Sequence, residues 1–142
     1  MLTKHILVVD DRLALLDLLR RLLEEEGQYR VSVLPQGSGA VTQIRAAPPD
    51  LLILDLKLAD ADGLDILQEL RAHPTTADIP VIVYTAAVRE AETVAHLVAG
   101  NPTRYANVVV LQKPFELDTL LERVEQVLRA GAGALADTTP PP

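Results

Sequence analysis

Five polar residues each stand directly after, or one place beyond, a short aliphatic run of the chain. They are two adjacent acids, a third acid, a hydroxyl and an amine: Asp10, Asp11, Asp55, Thr85 and Lys113. A cluster of carboxylates favours a hard divalent cation such as magnesium. An amine and a hydroxyl beside it favour an anion with several oxygen atoms. If the fold brings these groups together, they describe a magnesium-assisted phosphoryl site.

The three acids also have ordinary structural explanations. Asp10 or Asp11 suits a helix N-cap, because aspartate accepts hydrogen bonds from the first backbone N–H groups of a helix. One acid suffices for that role, and two adjacent carboxylates repel each other unless a cation neutralises them. Asp55 alone fits a cap or a turn. Beside a bound divalent ion it becomes a nucleophile for phosphorus, because the ion shields the charge of the incoming group.

Thr85 and Lys113 are open to similar alternatives. Threonine is common in strands, and Thr85 gains interest only from its place at a strand end. Lys113 is one of three lysines in a chain that carries most of its positive charge on arginine. Its ammonium can reach a phosphoryl oxygen as a point charge, but it also fits a solvated lysine before a helix-starting proline. The Lys113–Pro114 bond is a candidate for the cis form, which would aim the lysine inward.

Alternating strands and helices must position these residues. Short apolar runs predict buried parallel strands, and apolar residues at helical spacing predict the helices between them. Gly27 is predicted to end the first helix as a C-cap. The predicted strands cover residues 4–9, 29–34, 51–54, 80–84 and 107–111, and the predicted helices cover residues 12–26, 38–46, 63–72, 88–99 and 117–129.

Five β–α units with right-handed crossovers predict an α/β fold, a flavodoxin-like doubly wound (βα)5 sandwich around a parallel sheet. Its common strand order is 2-1-3-4-5. Ligands of such sheets bind at the carboxyl ends of the strands where the order reverses, here between the first and third strands. The three acids lie at the ends of those two strands. The chemistry-bearing residues are therefore expected to meet at one edge of the sheet.

Composition limits the domain count and the partners. A chain of 142 residues with 49% hydrophobic and 3% aromatic residues predicts one domain with an aliphatic core. The net charge of −7 argues against binding to nucleic acid, and there is no cysteine. Without a signal-peptide core or membrane span, the chain is expected in the cytoplasm, away from membranes. We assign the domain to residues 1–130. Residues 131–142 are rich in Gly, Ala, Thr and Pro, so we expect a disordered tail or linker stub there.

With these pieces in place, the chain resembles the receiver domain of bacterial two-component response regulators over about residues 4–130. The strand order given above is partly taken from this resemblance. Four motifs at matching order and spacing carry it: Val8-Val9-Asp10-Asp11, Pro49-Asp50-Leu51-Leu52-Ile53-Leu54-Asp55 with Asp62-Gly63-Leu64 after it, Ile79-Pro80-Val81-Ile82-Val83-Tyr84-Thr85-Ala86, and Lys113-Pro114-Phe115.

The resemblance implies a role for each candidate residue. Asp55 would accept a phosphoryl group from a sensor histidine kinase or a histidine phosphotransfer protein. Asp10, Asp11 and Asp55 would hold Mg2+ together with the backbone carbonyl of Lys57. Thr85 and Lys113 would bind the phosphoryl oxygens and transmit the presence of the group to a downstream protein. The resemblance leaves a homodimer open.

Three positions depart from the pattern of the family. Val110 stands where the family usually has an aromatic switch residue, and Tyr105 is the aromatic expected to substitute for it. The stretch between Thr85 and Lys113 is longer than usual, with residues 100–107 carrying the excess. Leu58-Ala59 replaces a common Met-Pro or Leu-Pro pair, which is expected to loosen the turn after Asp55.

We interpret the chain as a single-domain response regulator that works as a phosphorylation-dependent interaction switch or phosphorelay intermediate. It would be no enzyme beyond its own phosphorylation and dephosphorylation. One alternative is an Asp-nucleophile phosphohydrolase of the haloacid-dehalogenase type, which expects a second acid where this chain has Lys57. Another is a receiver-like scaffold that is never phosphorylated. An effector domain beyond Pro142 also stays open.

Overall fold

The computed structural model describes residues 3–113 and 116–133, the last three by their backbone only. Pro114, and with it the expected cis bond, lies outside the described residues. Strands and helices alternate along the chain. The elements are β1 (His5–Val9), α1 (Leu13–Glu25), β2 (Arg30–Leu34), α2 (Ala40–Ala46), β3 (Leu51–Leu54), α3 (Gly63–Ala72), β4 (Val81–Thr85), α4 (Val88–Gly100), β5 (Val108–Gln112) and α5 (Leu117–Gly133).

The five strands form one parallel sheet in the order β2-β1-β3-β4-β5. This order confirms the predicted fold. The last residue of β1, Val9, is in register with Leu34 of β2 and with Leu54 of β3. The residues that follow β1 and β3 therefore emerge side by side at the same edge.

Two apolar layers cover the sheet because successive strand residues point to opposite faces. Leu7 and Val9 of β1 pack in a core cluster with residues of α2, α3 and α4. Ile6 and Val8 pack in the opposite cluster with residues of α1 and α5. The inner strands β1, β3 and β4 are buried on both faces, which explains their continuous aliphatic runs.

The end of α1 differs from the prediction. Its C-cap residue is Glu26, and the residue with positive φ is Gln28, at 59°. Gly27 is needed for space instead, because a Cβ atom there would lie 2.4 Å from the ring of Tyr29. The prediction of Gly27 as the C-cap was therefore wrong by one residue, although the helix ends where expected.

The last helix continues past its predicted end at Arg129. It extends to Gly133, so residues 131–133 are helical. The expected tail can therefore cover residues 134–142 at most, and these lie outside the described residues. The domain boundary near residue 130 stays a prediction.

The long segment between α4 and β5 is fixed at the amino-terminal edge of the sheet. The N–H of Val81, the first residue of β4, donates to the carbonyl of Asn107 at 2.9 Å. The buried guanidinium of Arg71 donates to the carbonyls of Ile79 and Ala106 at 2.7 and 3.1 Å. Burial lowers the pKa of Arg71 from its ordinary value. Arg71 thus ties this segment to the loop before β4.

Tyr105 belongs to that segment and packs into the core on the α2–α4 side with only 5% exposure. It lies near the first residue of β4, whereas Thr85 is the last residue of that strand. The four steps from Val81 to Thr85 span roughly 13 Å at about 3.3 Å per residue. The expectation that Tyr105 takes the place of the missing switch ring near Thr85 is therefore wrong.

We expect Tyr105→Ala to lower stability rather than to alter the phosphoryl site. Removing a buried aromatic ring leaves a cavity and costs about 3 kcal/mol or more of the free energy of unfolding. Urea titration of wild type, Tyr105→Ala and Tyr105→Phe measures this cost, with the phenylalanine variant staying near wild type. Unchanged stability of Tyr105→Ala together with altered phosphorylation of Asp55 would contradict this structural role.

Candidate phosphoryl and metal site

Asp10 is the most enclosed acid at the sheet edge, with 2% exposure. Its Oδ1 accepts the backbone N–H of Arg12 at 2.9 Å and lies 3.6 Å from the Arg12 Nε. Its Oδ2 accepts from the Lys113 ammonium at 3.2 Å. Asp10 is thus part of the charged cluster and is not a helix N-cap, because the N-cap of α1 is Arg12 and has no side-chain cap hydrogen bond.

Asp11 is more accessible and has a different partner. Its Oδ2 accepts the backbone N–H of Ala59 at 2.6 Å, a bond that proline at position 59 could not make because it has no N–H. Asp60 accepts the N–H groups of Gly37 and Ser38 at 2.9 and 3.0 Å. These two backbone bonds hold the pKa of Asp60 below its usual value. The turn after Asp55 is therefore tied at two points, against the loosening expected from Leu58-Ala59.

Asp55 follows β3 and is 8% exposed. Its Oδ1 lies 3.4 Å from the backbone N–H of Lys57, and its Oδ2 lies 3.7 Å from the Lys113 ammonium. The start of α3 packs closely behind it, because a Cβ atom at Gly63 would lie 2.3 Å from the carbonyl oxygen of Asp55. Sequence reasoning gave Gly63 only a helix start and missed that it lets α3 approach the acid-bearing turn.

The three acids form a donor set that suits a divalent ion. Asp10, Asp11 and Asp55 each offer a carboxylate oxygen, and these oxygens lie within 4.8 Å of one another. Lys113 and the exposed Arg12 supply two positive charges against the three formal negative charges. Carboxylate oxygens are the ligands that Mg2+ prefers. The set therefore fits the predicted metal, and Lys57 borders the same cavity. The role of the Lys57 carbonyl stays a prediction.

Thr85 and Lys113 come together at the ends of β4 and β5. The backbone N–H of Lys113 donates to the carbonyl of Thr85 at 2.6 Å. The Thr85 hydroxyl is buried and accepts the N–H of Ala87 at 3.1 Å. It keeps its own O–H as a donor. The structure thus brings the hydroxyl and the amine to the edge that carries the acids.

An open cavity of about 500 Å³ lies in front of these groups. It extends from the turns that carry the acids to the first turn of α4. A ligand there would contact the carboxylates of Asp11 and Asp55 and the amino-terminal end of α4. Its lining residues are Asp11, Arg12, Asp55, Lys57, Thr85, Ala86, Ala87, Val88, Arg89 and Glu90.

The ring of Tyr84 also contacts the charged cluster. The Lys113 Nζ lies 4.5 Å from the centroid of the Tyr84 ring. Burial raises the pKa of Tyr84 above its ordinary value, and the nearby Asp10 carboxylate adds to that increase while Arg12 opposes it. Sequence reasoning treated Tyr84 only as the strand residue before Thr85. The available signal was its place directly before the candidate residue Thr85.

The fold and the site define a doubly wound α/β domain with an acidic pocket at the edge where its strand order reverses. Residues 6–125 match the family described as the response regulator receiver domain, so the chain belongs to this family. The site has Lys57 where the haloacid-dehalogenase alternative expects a second acid. The family match favours the receiver interpretation over that alternative.

Named relatives agree with this assignment. The response regulator MprA of Mycobacterium avium (strain 104) is 40% identical over 125 residues, covering 88% of this chain and 51% of the relative. The chain thus spans about half the length of the curated relatives it matches. A CheY-like response regulator receiver domain protein from Methanospirillum hungatei JF-1 superposes with a TM-score of 0.75 at 25% identity, covering 94% of this chain and 99% of that one.

A third comparison is with the non-phosphorylated HemR receiver domain from Leptospira biflexa. It superposes with a TM-score of 0.73 at 28% identity and covers 99% of this chain and 100% of that one. Within the described residues, no helix combines the length and apolar character required to cross a membrane.

Proposed function

We propose that this chain is a phosphorylation-dependent switch or phosphorelay intermediate that accepts a phosphoryl group on Asp55. The observation that carries the proposal is the cluster itself: the Asp55 carboxylate lies beside two further acids and 3.7 Å from the Lys113 ammonium. The donor is a phosphohistidine of a sensor kinase or phosphotransfer protein. The family membership supports this class of donor.

The transfer needs little chemistry from the protein beyond placement and charge. An oxygen of Asp55 attacks phosphorus, the bond between phosphorus and the donor imidazole nitrogen breaks, and the imidazole takes up a proton. Lys113 already stands at Asp55, so its ammonium can exchange that carboxylate for a phosphoryl oxygen. The Thr85 hydroxyl can donate to a second phosphoryl oxygen.

The charge of the site requires a further cation for this reaction. Three carboxylates beside Lys113 and Arg12 leave the cluster with a net negative charge, which repels an incoming phosphoryl group. Asp10, Asp11 and Asp55, with the Lys57 carbonyl, would hold Mg2+, which when bound neutralises charge on the acids and on the phosphoryl oxygens. Asp11 and Asp55 border the open cavity, so a phosphodonor can reach them from solvent.

The output is a protein contact rather than a reaction on a small molecule. We place the chain in the cytoplasm with its kinase or phosphotransfer partner and a downstream protein. Val110 stands where the family usually has an aromatic switch residue. It has no ring that could rearrange, and valine is stiff about its single side-chain bond. The readout therefore depends on Thr85 and on the first turn of α4, which begins directly behind its hydroxyl.

A small-molecule donor tests the function. Incubation of the protein with acetyl phosphate and Mg2+, followed by intact mass spectrometry, should add about one phosphate per chain. The same incubation with EDTA should add none. A protein that stays unlabelled in Mg2+, while a known receiver domain is labelled in parallel, would favour the scaffold alternative.

A further inference from the structure

We propose that Tyr84 is a positioning residue for phosphoryl transfer, whose ring face holds the Lys113 ammonium beside Asp10 and Asp55. The proposal rests on the function given above for its kinetic consequence. The contact itself belongs to the chain before any donor binds. The contact between Lys113 and Tyr84 can therefore be tested without phosphorylation.

The geometry places the ammonium between two anions and one ring. The Lys113 Nζ lies 3.2 Å from Asp10, 3.7 Å from Asp55 and 4.5 Å from the Tyr84 ring centroid. An ammonium within about 6 Å of an aromatic centroid is attracted by the negative face of the ring. The Lys113 side chain is 8% exposed, so little water weakens this attraction.

The ring supplies what the two ion pairs cannot. A lysine head on a flexible four-carbon stem has many positions available to it. During transfer the ammonium has to exchange its contact with Asp55 for one with the phosphoryl group. The ring contact does not have to change, because Tyr84 is 6% exposed and packed into the core cluster on the α1 and α5 face.

The state of the phenol agrees with this role. A tyrosine phenol is protonated at neutral pH, and burial raises the pKa of Tyr84 further, with Arg12 opposing the shift and Asp10 adding to it. A neutral ring keeps its negative face available to the ammonium. The residue also lies directly before Thr85, so one strand end places both the ring under Lys113 and the hydroxyl beside the cavity.

Two substitutions separate the ring from the hydroxyl. Tyr84→Leu removes the ring and should slow the initial rate of phosphorylation by acetyl phosphate roughly tenfold. Tyr84→Phe keeps the ring and should stay within about twofold of wild type. Tyr29 packs against the same core cluster, so Tyr29→Leu is a matched control for loss of a ring from that core and should leave the rate near wild type.

The dependence on Lys113 is tested by a double-mutant cycle and by NMR. In a Lys113→Met background, Tyr84→Leu should bring no further loss of rate. In metal-free wild type and Tyr84→Phe, the Hε protons of Lys113 should be shifted upfield by the ring, and this needs no variant that risks misfolding. Absence of that shift would overturn the proposal.

Equal slowing by Tyr84→Phe and Tyr84→Leu would also overturn it, as would an undiminished Tyr84→Leu effect in the Lys113→Met background. If wild type itself takes up no phosphoryl group, the proposed function fails. The NMR shift then still decides whether the ring holds the lysine.

Discussion

Asp55→Asn should take up no phosphoryl group from acetyl phosphate in the presence of Mg2+, whereas wild type takes up about one. The expected effect is complete, because an amide lacks the anionic oxygen that attacks phosphorus. The substitution conserves the size of the side chain, and Asp55 is nearly buried behind Lys113. The fold should therefore survive it.

Intact mass spectrometry of both proteins after the same incubation measures this effect. Asp50→Asn is a matched control, because Asp50 stands at the opposite end of β3 and accepts the backbone N–H of His5 there. That variant should be labelled as wild type is. Labelling of Asp55→Asn to the wild-type level would mean that another residue is the acceptor.

Asp11→Ala should weaken Mg2+ binding strongly. Loss of a residue that only supports a metal ligand lowers metal affinity roughly 10- to 100-fold, and we expect a larger loss for Asp11. Asp11 is expected to be a direct ligand, since its carboxylate borders the cavity and accepts a single hydrogen bond among the described residues. Isothermal titration of Mg2+ into both proteins measures the ratio of dissociation constants. Asp65→Ala removes the same charge from an exposed position in the first turn of α3 and should bind Mg2+ nearly as wild type does.

Equal affinity of wild type and Asp11→Ala for Mg2+ would remove Asp11 from the metal site. A similar loss in Asp65→Ala would show that net charge, rather than coordination, governs the binding. Both outcomes would leave the acceptor role of Asp55 to be judged on its own.

The sheet was predictable from sequence because its three inner strands, β1, β3 and β4, are buried on both faces. Continuous aliphatic runs such as 51–54 have few alternatives in a chain with helical spacing between them. The same regularity brought Asp10, Asp11 and Asp55 to one edge, since parallel strands share their carboxyl ends. This part of the site follows from topology alone.

Contacts between residues that are far apart in sequence could not be predicted from the sequence. The Arg71 contact to the carbonyl of Ala106 joins residues far apart in sequence, and no pattern announces it. The placement of Tyr105 failed for the same reason. Its position in the sequence before β5 was plain, but its distance from Thr85 depends on which end of the sheet each residue occupies.

Departures from a family pattern also needed the structure. Ala59 in place of proline suggested a looser turn, yet its N–H binds Asp11. Replacing proline by alanine adds a backbone N–H. The effect on the turn depends on whether that N–H has a hydrogen-bond acceptor, which the sequence alone does not show. Tyr84 illustrates the same point, because its interest lies in the ammonium above its ring.

The most direct test of the central claim locates the phosphoryl group on the chain. Phosphorylated wild type is treated with sodium borohydride, which reduces an aspartyl phosphate to homoserine, and the protein is then digested and its peptides sequenced by mass spectrometry. The account predicts homoserine at position 55 and unmodified aspartate at positions 10 and 11. Homoserine at another position, or a phosphate that survives the borohydride treatment, would contradict it.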